Sequence, residues 1–212
     1  MRKGGLEVTA RGRPPSMGDR CDKWDMPVHL SHSGPLVEAI TEALARKAAR
    51  PFLVAIDGRG GAGKSSLAAA MARELPRASV VHTDDFAFGW GDRARFREQI
   101  LDPLLERRPA RYQRFDWPTL RLADRHEVTS DVDVLILEGV SVARSELGDP
   151  WDVTVWVEAP RDTRLHRGLE RDGDAALPLW EKWMAEEDSW VASERPADRC
   201  DFIFDGTAGL PV

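Results

Sequence analysis

Gly58, Gly63, Lys64 and Ser65 stand at the spacing G-x-x-x-x-G-K-[ST] inside the run GRGGAGKSS, which spans Gly58 to Ser66. Glycines let the main chain adopt conformations closed to other residues, so successive N–H groups can turn inward around an anion. A helix starting at Lys64 adds the positive end of its dipole to the same point. Arg59, Gly60, Gly61, Ala62 and Ser66 complete the loop that would line a polyphosphate. Lys64 would reach the outer phosphates, and the Ser65 hydroxyl would hold a divalent cation. A glycine-rich turn with no ligand is the plain alternative, and the full pattern argues against it.

Two further sites bear carboxylates. Asp84 and Asp85 lie in HTDDFAF, directly after the apolar run ASVV, and Glu138 closes DVLILE ahead of Gly139. Phosphoryl transfer to an alcohol needs one carboxylate to accept or orient the hydroxyl proton and another to help hold magnesium. Asp84 suits the first task and Glu138 the second. Helix capping is the competing role for Asp85 and, less so, for Asp84. Arg164, Arg167 and Arg171 follow at i, i+3 and i+7, which places three guanidinium groups on one helical face. Such a face could close over a polyphosphate and neutralise developing charge. The alternative is a solvated helix whose arginines pair with Glu170, Asp172 and Asp174. Trp180, Trp183, Glu187 and Trp190 share another helical face, which reads as packing. His82, His126 and His166 show no mutual spacing that gives them a role.

Elements able to position these groups are visible in the apolar pattern. FLVAI (52–56), ASVVH (78–82), VLILE (134–138), VTVWV (153–157) and DFIF (201–204) are short runs rich in Val, Ile and Leu. Runs apolar on both alternating faces suit parallel strands buried under helices. Their alternation with helical segments implies an α/β sandwich with right-handed crossovers, in which ligands collect beyond the strand carboxyl ends. SGPLVEAITEALARKAAR carries Leu36, Val37, Ile40, Ala43 and Leu44 on one stripe, with a capping-type serine and a proline at its start, and predicts a helix on one sheet face. Residues 1–32 mix Gly, Pro, Arg and Asp without periodicity and read as a flexible or loosely packed arm. Residues 33–212 read as one domain.

The chain has 212 residues, a formal net charge of −6 and 31% charged residues. No apolar run approaches the roughly 20 residues that span a bilayer, and no basic excess favours nucleic acid. Only Cys21 and Cys200 are present, far apart, so a reduced cytoplasmic setting without structural zinc is expected. Among the 30 basic residues only five are lysines, which singles out Lys64. Self-association is left open.

DGRGGAGKSS, TDDF, RFDW, ILEGV and RDTRLHRGLERD, in this order, resemble the uridine kinase group of P-loop small-molecule kinases, with pantothenate kinase and phosphoribulokinase as relatives. The resemblance covers roughly residues 50–206. It implies a three-layer P-loop kinase fold with a mainly parallel sheet of about five strands and a small helical lid at about 161–175. It further implies use of ATP and Mg2+, Asp84 as base at the acceptor hydroxyl, Glu138 at magnesium, and Arg164, Arg167 and Arg171 as lid arginines. In FDWPTL, Asp116 would hold ribose hydroxyls while Phe115 and Trp117 pack on a flat group. Asp85 and Tyr112 are further acceptor-side candidates, and Arg111 and Arg114 offer contacts for a more anionic acceptor. Leu120 replaces the family's base-reading histidine, so a nucleoside is the leading acceptor and a vitamin or sugar the alternative. A P-loop NTPase switch is the rival from another class, but the guanine-reading segment N/T-K-x-D is absent.

Overall fold

The computed structural model describes residues 27–46, 51–86, 93–116, 119 and 121–208. Six strands form one wholly parallel sheet: β1 (Val28–Leu30), β2 (Phe52–Gly58), β3 (Ala78–His82), β6 (Val134–Glu138), β7 (Val153–Glu158) and β8 (Phe202–Asp205). Their spatial order is β1-β8-β7-β2-β6-β3. The five expected strands are all present. The sixth, β1, lies in the stretch assigned to the arm, where Val28, His29 and Leu30 pair with Phe202, Ile203 and Phe204. A three-residue edge strand is too short to show alternation, and only its partner reveals it.

Alternation along β2 builds the two sides of the core. Phe52, Val54 and Ile56 face α1 (Gly34–Leu44) and α2 (Lys64–Glu74), where Leu36, Ile40, Leu67 and Met71 are fully buried. Leu53 and Ala55 face the other layer, with Ile100, Leu101, Leu104 and Trp151. That layer includes α3 (Arg93–Phe96), a π turn (Arg97–Leu101) and α4 (Asp102–Leu105). Ser33 precedes α1 as expected but makes no side-chain cap; its hydroxyl donates instead to Glu74 Oε1 at 3.3 Å. Past β7 come α5 (Arg161–Asp172) and α6 (Leu177–Glu194), the latter packing Trp190 and Val191 against Trp156 of the sheet.

A hairpin also lies outside the expected set. β4 (Ala110–Asp116) and β5 (Arg121–Val128) form a separate antiparallel hairpin, with a register irregularity between Gln113 and Phe115. β5 is exposed along most of its length, so its sequence RLADRHEV lacks the apolar signal of a buried strand. No helix among the described residues is long and apolar enough to cross a membrane.

Because β6 and β7 flank β2 on opposite sides, consecutive connections diverge at the carboxyl end of β2. Such a divergence opens a crevice for a ligand, and the glycine loop stands at its mouth.

Candidate active site

The chain leaves β2 at Gly58, turns through Arg59–Gly63 and enters α2 at Lys64. Gly58, Gly61 and Gly63 adopt positive φ of 148°, 73° and 108°. The glycines also admit neighbours. A Cβ at Gly58 would lie 2.3 Å from the Val157 carbonyl oxygen, and one at Gly61 would lie 2.4 Å from that of Arg164. Lys64 is buried at the helix start and donates from Nζ to the Arg59 carbonyl at 3.0 Å, spanning the inside of the loop. Ser65 lies one residue into α2, and its hydroxyl donates to Glu138 Oε1 at 3.0 Å.

Glu138 is buried at the end of β6, where the pairing of β6 with β3 sets it beside His82. His82 Nδ1 lies 2.5 Å from Glu138 Oε1, and this hydrogen bond raises the histidine pKa above its ordinary value. A Cβ at Gly139 would fall 1.8 Å from Thr83 Oγ1, so the glycine after the acid lets the β6 and β3 ends meet. The hydroxyl of Ser65 and the carboxylate of Glu138 form an oxygen pair of the kind magnesium takes alongside water and phosphate oxygens. Among the described residues no group of three or more His, Cys, Asp or Glu could hold a metal by itself. The fit is therefore to an ion that brings its own water and phosphate ligands.

Asp84 and Asp85 lie in a 3-10 turn, Thr83–Phe86, directly after β3. The Asp84 side chain is exposed, yet neighbouring protein displaces part of its hydration. That loss of hydration is the main cause of its raised pKa, with Glu138 adding to it and Lys64, Arg171 and His82 opposing. Asp85 takes a different course: Tyr112 donates to its Oδ2 at 3.1 Å, and Arg114 Nε lies 4.0 Å from Oδ1. Asp85 thus ties the hairpin to the turn instead of capping a helix. Tyr112 is further fixed by Phe86, whose ring centroid is 4.2 Å away, and by stacking with His126 at 5.8 Å. A cavity of about 420 Å³ lies between β3 and the hairpin, lined in part by His82, Asp85, Tyr112, Arg114 and His126. Asp116 ends β4 and accepts from the Thr119 hydroxyl, while Phe115 is half-buried beside it. Trp117 and Leu120 lie outside the described residues.

The three arginines of α5 expected to line a lid separate in space. Arg164 is 2% exposed, pairs with Glu187 of α6 at 3.4 Å and donates from Nε to the Ala159 carbonyl. This corrects the expectation that it faces the phosphates: a 3.6-residue period aligns side chains on one helix but does not say what covers that helix. Arg167 donates from Nη1 to the Gly61 and Ala62 carbonyls at 3.3 and 3.4 Å, on the loop itself. Arg171 lies over the Trp180 ring, pairs with Asp172 and still acts on Asp84 through its charge. The chain after β8 also reaches the loop, since a Cβ on Gly206 would lie 1.8 Å from the Ala62 carbonyl oxygen.

Three contributors have no motif. His82 holds Glu138. Glu187, 3% exposed among the α6 tryptophans, accepts from the Gly60 amide at 2.8 Å. Asp57, wholly buried at the end of β2, accepts from the amides of Gly58, Ser141 and Ala143 at 2.7, 2.7 and 2.9 Å. A polar residue within an apolar stripe is the signal that marks Asp57 and Glu187 in hindsight.

No family model matches the chain. The uridine kinase of Streptococcus uberis is 24% identical over 143 residues, covering 58% of this chain and 68% of that protein. A Bacillus stearothermophilus protein described as a "possible uridine kinase" superposes with a TM-score of 0.62 at 23% identity, over 80% of this chain and 95% of its own. The D-glycerate 3-kinase of Cryptococcus neoformans shares the fold with a TM-score of 0.57 at 12% identity, over 82% and 96% of the two chains. With the glycine loop, the parallel sheet and the carboxylates at its strand ends in agreement, the chain is similar to the uridine kinase-like P-loop kinases in sequence and shares their fold.

Proposed function

We propose that the protein transfers the γ-phosphoryl group of ATP, with Mg2+, to a hydroxyl of a small metabolite, with a nucleoside as the leading acceptor. The observation that carries this reading is the convergence of Lys64, the Ser65–Glu138 pair and Asp84 at the carboxyl ends of β2, β6 and β3. Magnesium held by Ser65 and Glu138 would offset charge on the phosphate oxygens. The loop amides and Lys64 bind and orient the polyphosphate. Asp84, facing the cleft from the opposite strand end, takes the proton of the acceptor hydroxyl, and its raised pKa makes it a stronger base than an ordinary carboxylate. Arg167 and Arg171 extend from α5 toward the loop and Asp84 and add positive charge where charge develops.

On the acceptor side, Tyr112, Phe115, Asp116 and Asp85 belong to or hold the hairpin wall. Leu120 in place of a base-reading histidine favours a second reading within the same chemistry, a smaller hydroxylated acceptor such as a vitamin or sugar. The deciding experiment incubates the protein with γ-labelled ATP and a panel of nucleosides, vitamins and sugars. Label is expected in one hydroxyl compound. Retained ATP binding with no labelled acceptor, and hydrolysis stimulated by a protein partner, would favour the NTPase switch instead.

A further inference from the structure

Glu187 is a buried acid on a helix that follows the lid, 127 residues from the loop amide it touches. A carboxylate removed from water is costly unless each oxygen finds a donor. Here both do. Oε1 accepts from the Gly60 N–H at 2.8 Å, and Oε2 accepts from Arg164 Nη1 at 3.4 Å. Arg164 in turn directs its Nε to the Ala159 carbonyl ahead of α5. One side chain of α6 therefore holds the glycine loop with one oxygen and the lid helix with the other.

Packing around this carboxylate is equally specific. A Cβ at Gly60 would lie 3.0 Å from Glu187 Oε1 and 3.2 Å from the Trp180 ring. The Gly61 position is closed by the Arg164 carbonyl, as noted above. Glycines 60 and 61 thus admit α5 and α6 as well as bending the loop. Asp188, the next residue, bridges Arg59 and Arg161 at 3.1 Å each, but its carboxylate is about half exposed, and exposed pairs contribute little. The buried pair at Glu187 is the one that can set geometry.

We propose that Glu187 is a positioning residue for nucleotide binding, which fixes the phosphate loop by holding the Gly60 amide away from the anion site and locks it to the lid through Arg164. This rests on the reading of the loop as a nucleotide site. The Ala62 amide donates to the Arg59 carbonyl at 3.2 Å, so the amides of Gly61, Gly63, Lys64 and Ser65 are left as the donors for the anion, and the loop and α5 move as one unit.

The test uses the full-length chain. In the double variant Glu187→Leu/Arg164→Met the buried charges leave together, a replacement that folds tolerate. It should keep its thermal midpoint yet bind Mg·ATP on the order of tenfold more weakly, with the acceptor KM unchanged. A merely structural role would shift the midpoint without separating the two substrates. A folded double variant that binds Mg·ATP as tightly as wild type overturns the proposal. Amide hydrogen exchange in the wild-type protein without nucleotide gives an independent measure: Gly60 should exchange far more slowly than Gly61, and equal rates overturn the proposal even if the double variant fails to fold. Failure of the wild type itself to bind any nucleotide would instead strike the functional reading, and leaves the exchange measurement to decide the Gly60 contact.

Discussion

Lys64 presents one ammonium to several acids: Asp57, Asp84 and Glu187 all have their pKa values drawn down by its charge against the upward effect of burial. On the proposed reading Lys64 is the main counter-ion of the phosphates, so Lys64→Ala should abolish turnover in a coupled kinase assay. Asp84→Asn keeps the shape of the side chain but not its basicity. The rate should fall about 10²–10⁴-fold with Mg·ATP affinity nearly intact, the range expected for loss of a general base. Burial raises the Asp84 pKa, so the wild-type rate should drop as pH falls through a value above the ordinary carboxylate range, and Asp84→Asn should lack that limb. These residues were legible because each belongs to a contiguous motif at a strand end. His82 and Glu187 were not, since their partners are 56 and 127 residues away and only the folded chain brings them together.

At the scale of elements, α5 illustrates how packing overrides intrinsic preference. Gly168 lies in the middle of this helix, where alanine would be favoured by about 1 kcal/mol. A Cβ there would lie 2.4 Å from Trp180 of α6. Gly168→Ala should therefore destabilise the protein by about 1–3 kcal/mol, as overpacking does, and thermal unfolding with and without nucleotide would register it. The hairpin yields a separate expectation. Tyr112→Phe removes the bond to Asp85 that fastens β4 to the Thr83–Phe86 turn. It should raise the acceptor KM several-fold and leave the ATP KM unchanged, as steady-state kinetics with each substrate varied would show. Hydrophobic period revealed the buried strands and α1, whereas α2 followed from the glycine loop, α5 from its arginine spacing and α6 from its tryptophan face. It missed β1 and the hairpin, one too short and the other too exposed to carry a pattern.

Across the whole molecule, Asp57 links β2 to the segment after β6 and makes stability depend on pH. Burial raises its pKa to about 6 despite three amide donors and Lys64. The folded state then binds more protons than the unfolded one between the ordinary carboxylate pKa and about 6. Asp57's contribution is thus fullest at the acid end and declines as pH rises through that interval, by roughly 3 kcal/mol in all. Urea unfolding of wild type and Asp57→Asn across this range should show the wild-type advantage shrinking toward neutral pH by that order. The linear chain determined the α/β class, the glycine loop between strand and helix and the acids at the ends of β3 and β6, because local geometry and apolar periodicity are written in neighbouring residues. Which arginine faces the cleft, which glycine serves packing and which acid braces the loop were decided only when α5 and α6 closed onto β2. Those roles depend on burial and on partners distant in sequence, and neither exists until the layers have formed.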